Sequence, residues 1–453
     1  MTDLGTLGGS DSEANDVSAD GSVVVGESYI AGNANFHAFR WTQASGMQDL
    51  GTLGGSDSWA GGVSGNGLVV VGSAEIAGNA NYRAFRWTQA GGMQSVEDWL
   101  RSHGIVVSAD ITKYGSATNY DGSVVVGQLT NSHGFIARVS DLGSGLITQR
   151  ELQKSLTTSS HRGRFMQAVF SALFNGAHSR PLSRRVAKGQ KTFWLSGDLG
   201  RDDHAARDGN FGIGEVGGGI NLGNVQINLS LGQSWAKQNT AQHGASNSAG
   251  TYLLAEALLP LSDQWWATVS AFGHAGDAKM KRGYQNAGAQ DYSTGRPDAS
   301  AWGVRARLEW DKAYQIAKAY FSPYVDLTYS VAKLEGFTEL GGGFPARYDS
   351  RKDKATELRV GVNIERPVRD SLKWVGLLEG THRLEKKGSS TSGEIIGLFN
   401  FDIPGDNHKQ NWLHAGGGIE GKIADGTASI MLNMTTRGES PNYWLAASWQ
   451  KNF

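Results

Sequence analysis

The sequence lacks several features that would define its class at once. It has no cysteine, which excludes a disulfide framework, a thiolate metal site and a cysteine nucleophile. The absence also suits a chain that crosses an oxidising compartment unfolded, because no disulfide would lock it on the way. Neither charge is in excess, since 42 Lys and Arg stand against 43 Asp and Glu, so the composition gives no reason to expect a nucleic-acid partner.

Long apolar runs are also missing. The best stretch, Leu253 to Leu261, is short and is interrupted by Glu256 and Pro260, whereas a membrane helix needs roughly 18 to 20 apolar residues. A transmembrane β-barrel has no such run and shows only alternation in segments of about ten residues. With 63 glycines against 8 prolines, the composition favours many short strands joined by turns, and we predict an all-β protein.

The first third of the chain is an internal repeat. The segment DLGTLGGSDS at Asp3–Ser12 recurs letter for letter at Asp49–Ser58, a period of 46 residues, and DGSVVVG at 20–26 is matched by NGLVVVG in phase. DGSVVVG at 121–127 and HGFIARV at 133–139 indicate a degenerate third copy. A period in the forties is the size of one four-stranded propeller blade or one β-solenoid rung.

The repeat resembles a known extracellular one. DLGTLGG, SADGSVVVG and HAFRW are similar to the HAF-type repeat, whose triplet stands here as His37, Ala38 and Phe39; the second copy has Arg83 in the first place. The resemblance implies a surface passenger, which we assign to 1–143, without implying an activity. Three copies are few for a propeller and Met1 to Gly5 is not a signal peptide, so we expect further repeats and the signal upstream of Met1.

From Lys191 onward, segments with a period of two follow one another. In Val225 to Leu231 the odd positions are apolar and the even positions polar. Such alternation fits a soluble barrel or, inverted, a membrane barrel with its apolar residues toward lipid. The membrane is favoured by an even strand count and by aromatics at the ends of the apolar rows, as in interfacial girdles. These aromatics are Trp265, Trp302, Trp310, Tyr320, Phe321, Trp374, Tyr443 and Trp449.

We predict twelve strands. They lie near 193–201, 211–222, 225–238, 250–262, 265–280, 298–312, 321–336, 356–368, 372–386, 411–423, 427–438 and 442–453. The last strand, with Tyr443, Leu445, Trp449 and Phe453, resembles the signal that the outer-membrane insertion machinery reads, although Lys451 interrupts its apolar row. The longest loop, 387–410, is expected to be extracellular.

One helix is predicted over Thr148 to Ala177, directly before the first strand. Twelve C-terminal strands preceded by such a helix resemble the translocator of type V autotransporters, over roughly 148–453, with 144–190 as linker and helix and 191–453 as the barrel. The resemblance implies a helix in the lumen, a monomeric barrel in the Gram-negative outer membrane, and export of the passenger. The implied partners are membrane lipid, the barrel-assembly machinery and a host or surface ligand.

The helix supplies the candidate site residues. We expect its basic side chains to pair with lumenal acids, because charges attract more strongly in a confined lumen than in water; the alternative is an amphipathic linker on the periplasmic mouth. The resemblance also implies self-cleavage at an Asn of this helix in some members, here Asn175, and its alternative is a helix C-cap. The candidate pairs are Arg150, Lys154, Arg162 and Arg164 with Glu309, Asp326, Glu365 and Glu379.

The remaining motifs do not indicate catalysis. Gly212-x-Gly214-x-x-Gly217 fits a dinucleotide fingerprint, but no βαβ unit surrounds it, and we interpret it as strand glycines facing the lumen. HExxH and GxSxG are absent, so we predict no catalytic residue, metal or cofactor. The predicted function is export and display of an adhesive passenger; an enzyme whose catalytic passenger lies upstream, or an outer-membrane pore, remain alternatives.

Overall fold

The computed structural model describes residues 2–160, 171, 173–176, 178–204, 207–436 and 441–453. They divide into two compact units. Unit 1 consists of Met1–Ser155 together with Gly283–Ser293 and Leu340–Pro345. Unit 2 consists of Leu156–Arg282, Thr294–Glu339 and Ala346–Phe453.

Unit 1 contains three four-stranded antiparallel sheets, one for each copy of the repeat. Neighbouring strands in each sheet are also consecutive in sequence, as in a propeller blade. The sheets are formed by β1 (Gly8–Val17), β2 (Val23–Ile30), β3 (Phe36–Thr42) and β4 (Gly46–Asp49); by β5 (Gly54–Val63), β6 (Val69–Ile76), β7 (Tyr82–Thr88) and β8 (Gly92–Ser95); and by β9 (Thr112–Thr118), β10 (Val124–Leu129), β11 (Gly134–Arg138) and β12 (Gly145–Thr148).

Local contacts explain why the residues of the DGSVVVG motif recur. At the turn, the Asp20 carboxylate accepts hydrogen bonds from the Ser22 N–H and from the Ser18 and Ser22 hydroxyls, which lower its pKa to about 2. After the valines, a side chain at Gly26 would lie 1.8 Å from the Glu13 carbonyl oxygen of the adjacent strand. Only glycine therefore fits at this position, and the second and third copies keep it.

Two helices flank the third sheet in sequence. The first, α1 (Val96–Ser102), is capped by Ser95, whose hydroxyl accepts the N–H of Asp98 at 3.0 Å. The second, α2 (Gln149–Ser160), begins the helix predicted over 148–177, and 171 and 173–175 are also helical. Residues 161–170, 172 and 177 lie outside the described part. Among the described residues, no helix combines the length and apolar character that a membrane span requires.

Unit 2 is built on a closed barrel of twelve antiparallel strands, which confirms the predicted fold class and strand count. Each strand pairs with the next barrel strand, and the last pairs with the first, placing Trp449 opposite Leu195. The twelve are β13 (Lys191–His204), β14 (Arg207–Asn221), β15 (Gln226–Thr240), β16 (Gly244–Pro260), β17 (Trp265–Asn286), β19 (Asp298–Trp310), β21 (Ala319–Leu334), β24 (Arg351–Arg369), β25 (Leu372–Arg383), β28 (Asn411–Ile423), β29 (Gly426–Thr435) and β30 (Tyr443–Asn452).

Six further strands were not predicted. They lie in the connections between barrel strands, and four of them form a separate small sheet in the order β22, β23, β26, β27. The loop expected at 387–410 is therefore partly ordered as a hairpin. The six are β18 (Ala289–Gly295), β20 (Tyr314–Ile316), β22 (Phe337–Thr338), β23 (Ala346–Tyr348), β26 (Thr391–Ile395) and β27 (Phe399–Ile403).

The barrel is apolar outside and polar inside. Along β19, Trp302, Val304 and Leu308 are exposed, whereas Arg305 and Arg307 between them are buried. The same inversion holds for β15, whose leucines face out and whose serines face in. A soluble barrel would show the opposite arrangement, so the outer surface is suited to lipid and the alternation is that of a transmembrane barrel.

Candidate functional site: the barrel lumen

Strand register places charged side chains opposite one another on the inner wall. Arg307 of β19 lies directly across from Asp326 of β21, which in turn lies across from Arg359 of β24. Asp326 carboxylate oxygens lie 3.4 Å from Arg307 Nε and 3.6 Å from Arg359 Nη1. Because directly opposed residues on one face of a sheet are nearest neighbours, alternation together with this register builds the lumenal charge row.

Part of the chain that precedes the barrel lies inside it. Leu173 and Phe174 are buried in the same core as inward-facing Phe272, and the rings of Phe174 and Phe272 are 5.4 Å apart, edge to face. Arg305 of the wall lies over the Phe174 ring at 4.8 Å and donates to the His178 carbonyl oxygen at 2.9 Å. The described residues between 171 and 185 therefore fill the lumen as a lumenal segment.

Glu215 is the main anchor of the lumenal segment. Its carboxylate lies 2.8 Å from His178 Nε2 and 3.4 Å from Arg184 Nη2, both on the segment. It also accepts hydrogen bonds from four wall side chains at 2.7 to 3.0 Å. A carboxylate buried this deeply is stable only when so many donors and cations surround it. The four wall donors are Trp194, Ser196, Ser230 and Tyr252.

Two further arginines tie the end of the segment to the wall just before the first strand. Arg180 forms ion pairs with Glu365 and, at 3.2 Å, with Glu420. Arg185 lies 2.9 Å from Asp311. Ion pairs therefore hold the end of the segment against the barrel wall, so this stretch before β13 is not a free linker.

The predicted lumenal acids all lie on inward-facing positions, and Glu309, Asp326 and Glu379 are buried. Their cationic partners in the described lumen include Arg180, Arg307 and Arg359. Arg150 and Lys154 are exposed on α2, while Arg162 and Arg164 lie outside the described residues. Pairing of these helix cations with the lumenal acids stays a prediction.

Sequence reasoning missed the cations that anchor the segment. Arg180, Arg184 and Arg185 belong to the stretch RPLSRR, which lies shortly before β13. The helical pattern ends before Pro181, and all of the predicted cations lie within that helix. Three arginines in six residues, next to a strand with inward-facing acids, were the available signal.

Asn175 lies at the candidate cleavage position. It is buried, its side-chain amide donates to the Ser171 hydroxyl at 2.9 Å, and a side chain at Gly176 would come within 2.2 Å of the Asp198 carboxylate. The Asn175–Gly176 bond therefore lies against a buried wall carboxyl group. Self-cleavage there stays a prediction.

The candidate insertion signal forms the outer face of β30. Tyr443 and Leu445 are exposed toward the lipid side, as is Phe453 at the end. The backbone of Phe453 exchanges hydrogen bonds of 2.8 and 3.0 Å with Lys191, so the last residue helps to close the barrel. Recognition of this strand by the insertion machinery stays a prediction.

The glycine motif on β14 is structural. A side chain at Gly217 would meet the Trp194 ring at 2.2 Å, and one at Gly212 would meet the Trp235 ring at 2.5 Å. The interpretation of all three glycines as lumenal was wrong for Gly212 and Gly214, because strand alternation puts even positions of β14 outside. Among the described residues, no three His, Asp or Glu side chains gather to hold a metal ion.

A closed, inside-out barrel of twelve strands with a filled polar lumen defines the class of outer-membrane β-barrels. The sequence model of the family described as Autotransporter beta-domain matches residues 193–435, more than half of the chain. The chain belongs to this family. Its barrel is an outer-membrane autotransporter translocator domain, a fold that is not itself catalytic.

A solved autotransporter translocator is similar in fold. The translocator domain of autotransporter NalP from Neisseria meningitidis matches with a TM-score of 0.52 at 14% identity, over 66% of this chain and 99% of that one. The transport unit of autotransporter AIDA-I from Escherichia coli matches with a TM-score of 0.36 at 11% identity, over 64% of this chain and 97% of that one.

One curated relative is an uncharacterized protein of the trpE-trpG intergenic region of Pseudomonas putida, 25% identical over 187 residues. The match covers 40% of this chain and 31% of the relative. The chain therefore spans about a third of the length of the curated relative it matches.

Proposed function

We propose that the barrel exports the repeat region that precedes it and anchors that region at the cell surface. The observation that carries the proposal is the lumenal segment. It is the stretch of chain between the repeats and the first barrel strand, and the wall holds it through Glu215, Arg305 and Arg307. A lumen that binds the chain N-terminal to its own barrel is suited to hold a passenger that has passed outward.

Surface proteolysis with heat-modifiability tests the export. Cells would express the chain behind a signal peptide and be treated with protease before electrophoresis of boiled and unboiled samples. We expect protease to remove the repeats from outside and to leave a protected fragment that contains the barrel together with the lumenal segment and shifts its mobility on heating. Full-length protein found soluble in the periplasm, without a heat shift, would rule out this function.

We further propose that the repeats, of the HAF type, serve adhesion or other surface binding. Support comes from a row of aromatic side chains that crosses the sheets of unit 1 and is only partly buried. Ring centroids of Trp59 lie 6.1 Å from Phe36, 4.8 Å from Tyr82 and 5.8 Å from Tyr114. Such rings offer large contact area at low conformational cost, which is the reason aromatics dominate binding hot spots.

The aromatic row gives a direct test of binding. Trp59→Ala should reduce aggregation of displaying cells, and their adherence to glycan-coated surfaces, by about tenfold or more if the ring is a hot spot. Trp59→Tyr should retain binding, since the third copy has Tyr114 at the equivalent position. Tyr120→Ala is the matched control, because Tyr120 is an exposed aromatic of the same unit outside the row. Equal adherence of Trp59→Ala and Tyr120→Ala would exclude the row as a binding surface.

An enzyme passenger upstream of this chain is the alternative role of the exported part. No described residue of the repeats favours it. A catalytic motif in any passenger sequence encoded upstream of Met1 would favour it.

A further inference from the structure

In the first two repeats, an arginine forms a hydrogen bond to the repeat that follows. Arg40 of the first copy donates to the carbonyl oxygen of Gly67, in the turn of the second copy, at 3.2 and 3.3 Å. Arg86, its equivalent in the second copy, donates to the carbonyl oxygen of Gly122, in the turn of the third copy, at 3.2 Å. The repeated Ala-Phe-Arg-Trp motif therefore connects successive sheets through one conserved kind of contact.

The third copy makes the equivalent contact with a different partner. It has Ile136 where the first two copies have arginine, and its arginine stands two residues later, on the same side of the strand, as Arg138. Arg138 is buried and donates from Nε to the carbonyl oxygen of Gly343 at 2.9 Å, with its guanidinium 5.0 Å from the Phe344 ring. The connection Leu340–Pro345, between β21 and β24, thus supplies the carbonyl acceptor that the turn of a following repeat supplies to the first two copies.

A second connection covers the edge of the third sheet. Its edge strand, β12, leaves backbone groups of Leu146 free of strand partners on one side. The Asn286 side chain accepts the Leu146 N–H at 3.0 Å, and the Ala287 N–H donates to the Leu146 carbonyl at 2.7 Å. These residues belong to the tip between β17 and β18, so a hairpin extended from the barrel sequence protects the edge strand.

The same tip completes the apolar core of the third repeat. Ala287 is buried in a cluster that includes Val125, Phe135 and Leu146 of the third sheet and Trp99 of α1. In the other connection, Phe344 is fully buried and its N–H donates to the Tyr284 hydroxyl at 3.0 Å. The two connections are therefore bound to each other as well as to the repeat.

We propose that these two connections of the barrel sequence are the terminal cap of the repeat array. A stack of repeats exposes an apolar face and open backbone groups at its end, and it needs a capping element to be stable there. Here the cap is encoded within the barrel sequence, so the last repeat completes its core only with residues that lie between the barrel strands. A chain cut in the lumenal segment would keep its repeats bound to the barrel through this cap.

The cap is tested on the purified full chain folded in detergent, so the result does not depend on export. Ala287→Arg inserts a large charged side chain into the core of the last repeat. We expect chymotrypsin, which does not cut after arginine, to cleave the third sheet about tenfold faster or more, since cleavage follows the population of the opened state. The barrel should retain its heat-shifted mobility.

Ala317→Arg is the matched control. Ala317 has nearly the same backbone conformation as Ala287, with φ of 48° against 51°, but it is exposed in the short turn between β20 and β21. A second variant, Arg138→Thr, restores the residue that the first two copies have at this position and should also speed cleavage of the third sheet. Unchanged cleavage in both Ala287→Arg and Arg138→Thr, relative to Ala317→Arg, would overturn the proposal.

Discussion

Ala306→Arg is expected to destabilise the barrel by about 2–4 kcal/mol, the cost of an arginine at the lipid-facing midplane of a transmembrane barrel. Ala306 is exposed on the outer face of β19, midway between Trp302 and Trp310, which mark the ends of its apolar row. Its cross-strand neighbours, Val269 and Leu327, are also exposed and apolar. A charge there would have no partner within the hydrocarbon layer.

The matched control is Ser300→Arg, on the same face of the same strand but beyond Trp302. There the cost should fall to about 0–1 kcal/mol, because an interfacial arginine stays hydrated. The free energy of unfolding in phospholipid vesicles, measured by urea titration, compares the two. Equal stabilities would mean that the exposed apolar belt does not face lipid and that the barrel is a soluble one.

The barrel could be predicted because apolar and polar residues alternate along its strands with a period of two. Alternating segments such as 302–310 and 358–364 predict the strands. The aromatic residues at the ends of the apolar rows indicate a membrane barrel, and this decides that the apolar face points outward. All twelve predicted strands are present in the structure, and most bounds agree within a few residues. The first two repeat copies were equally accessible, because letter-for-letter recurrence needs no propensity argument, and the third was visible through its DGSVVVG segment.

The lumenal site could be predicted only in part. Alternation identified inward acids such as Asp326 and Glu379, but the partner of each acid depends on register between distant strands, as for Arg307 with Asp326. The segment Arg180 to Arg185 has no periodicity that marks it, since its regular structure is one short 3-10 helix, Pro181–Arg184, too short for a pattern to form. The strands in the connections, such as the two-residue β22, are too short for a pattern to form.

Arg305→Met should cost about 3–5 kcal/mol, because it leaves a buried carboxylate without its cation. Arg305 Nη2 lies 2.8 Å from Glu256, and the side chains of both are almost fully buried. The substitution also removes the donor to the His178 carbonyl and the cation over Phe174. Since those two contacts help to hold the lumenal segment beside the Glu215 anchor, ionic conductance through barrels in planar bilayers should rise along with the loss of stability.

Arg296→Met is the matched control, since Arg296 also lies 2.8 Å from a carboxylate, that of Asp277, but has an exposed side chain. An exposed pair contributes about 0–1 kcal/mol, and this one is remote from the segment. Glu256→Gln combined with Arg305→Met should be less destabilising than the sum of the single variants, because no unpaired charge remains buried. If Arg305→Met costs no more than Arg296→Met and leaves conductance unchanged, Arg305 does not hold the segment. The segment would then be held by the Glu215 anchor and by apolar contacts such as those of Phe174 with Phe272.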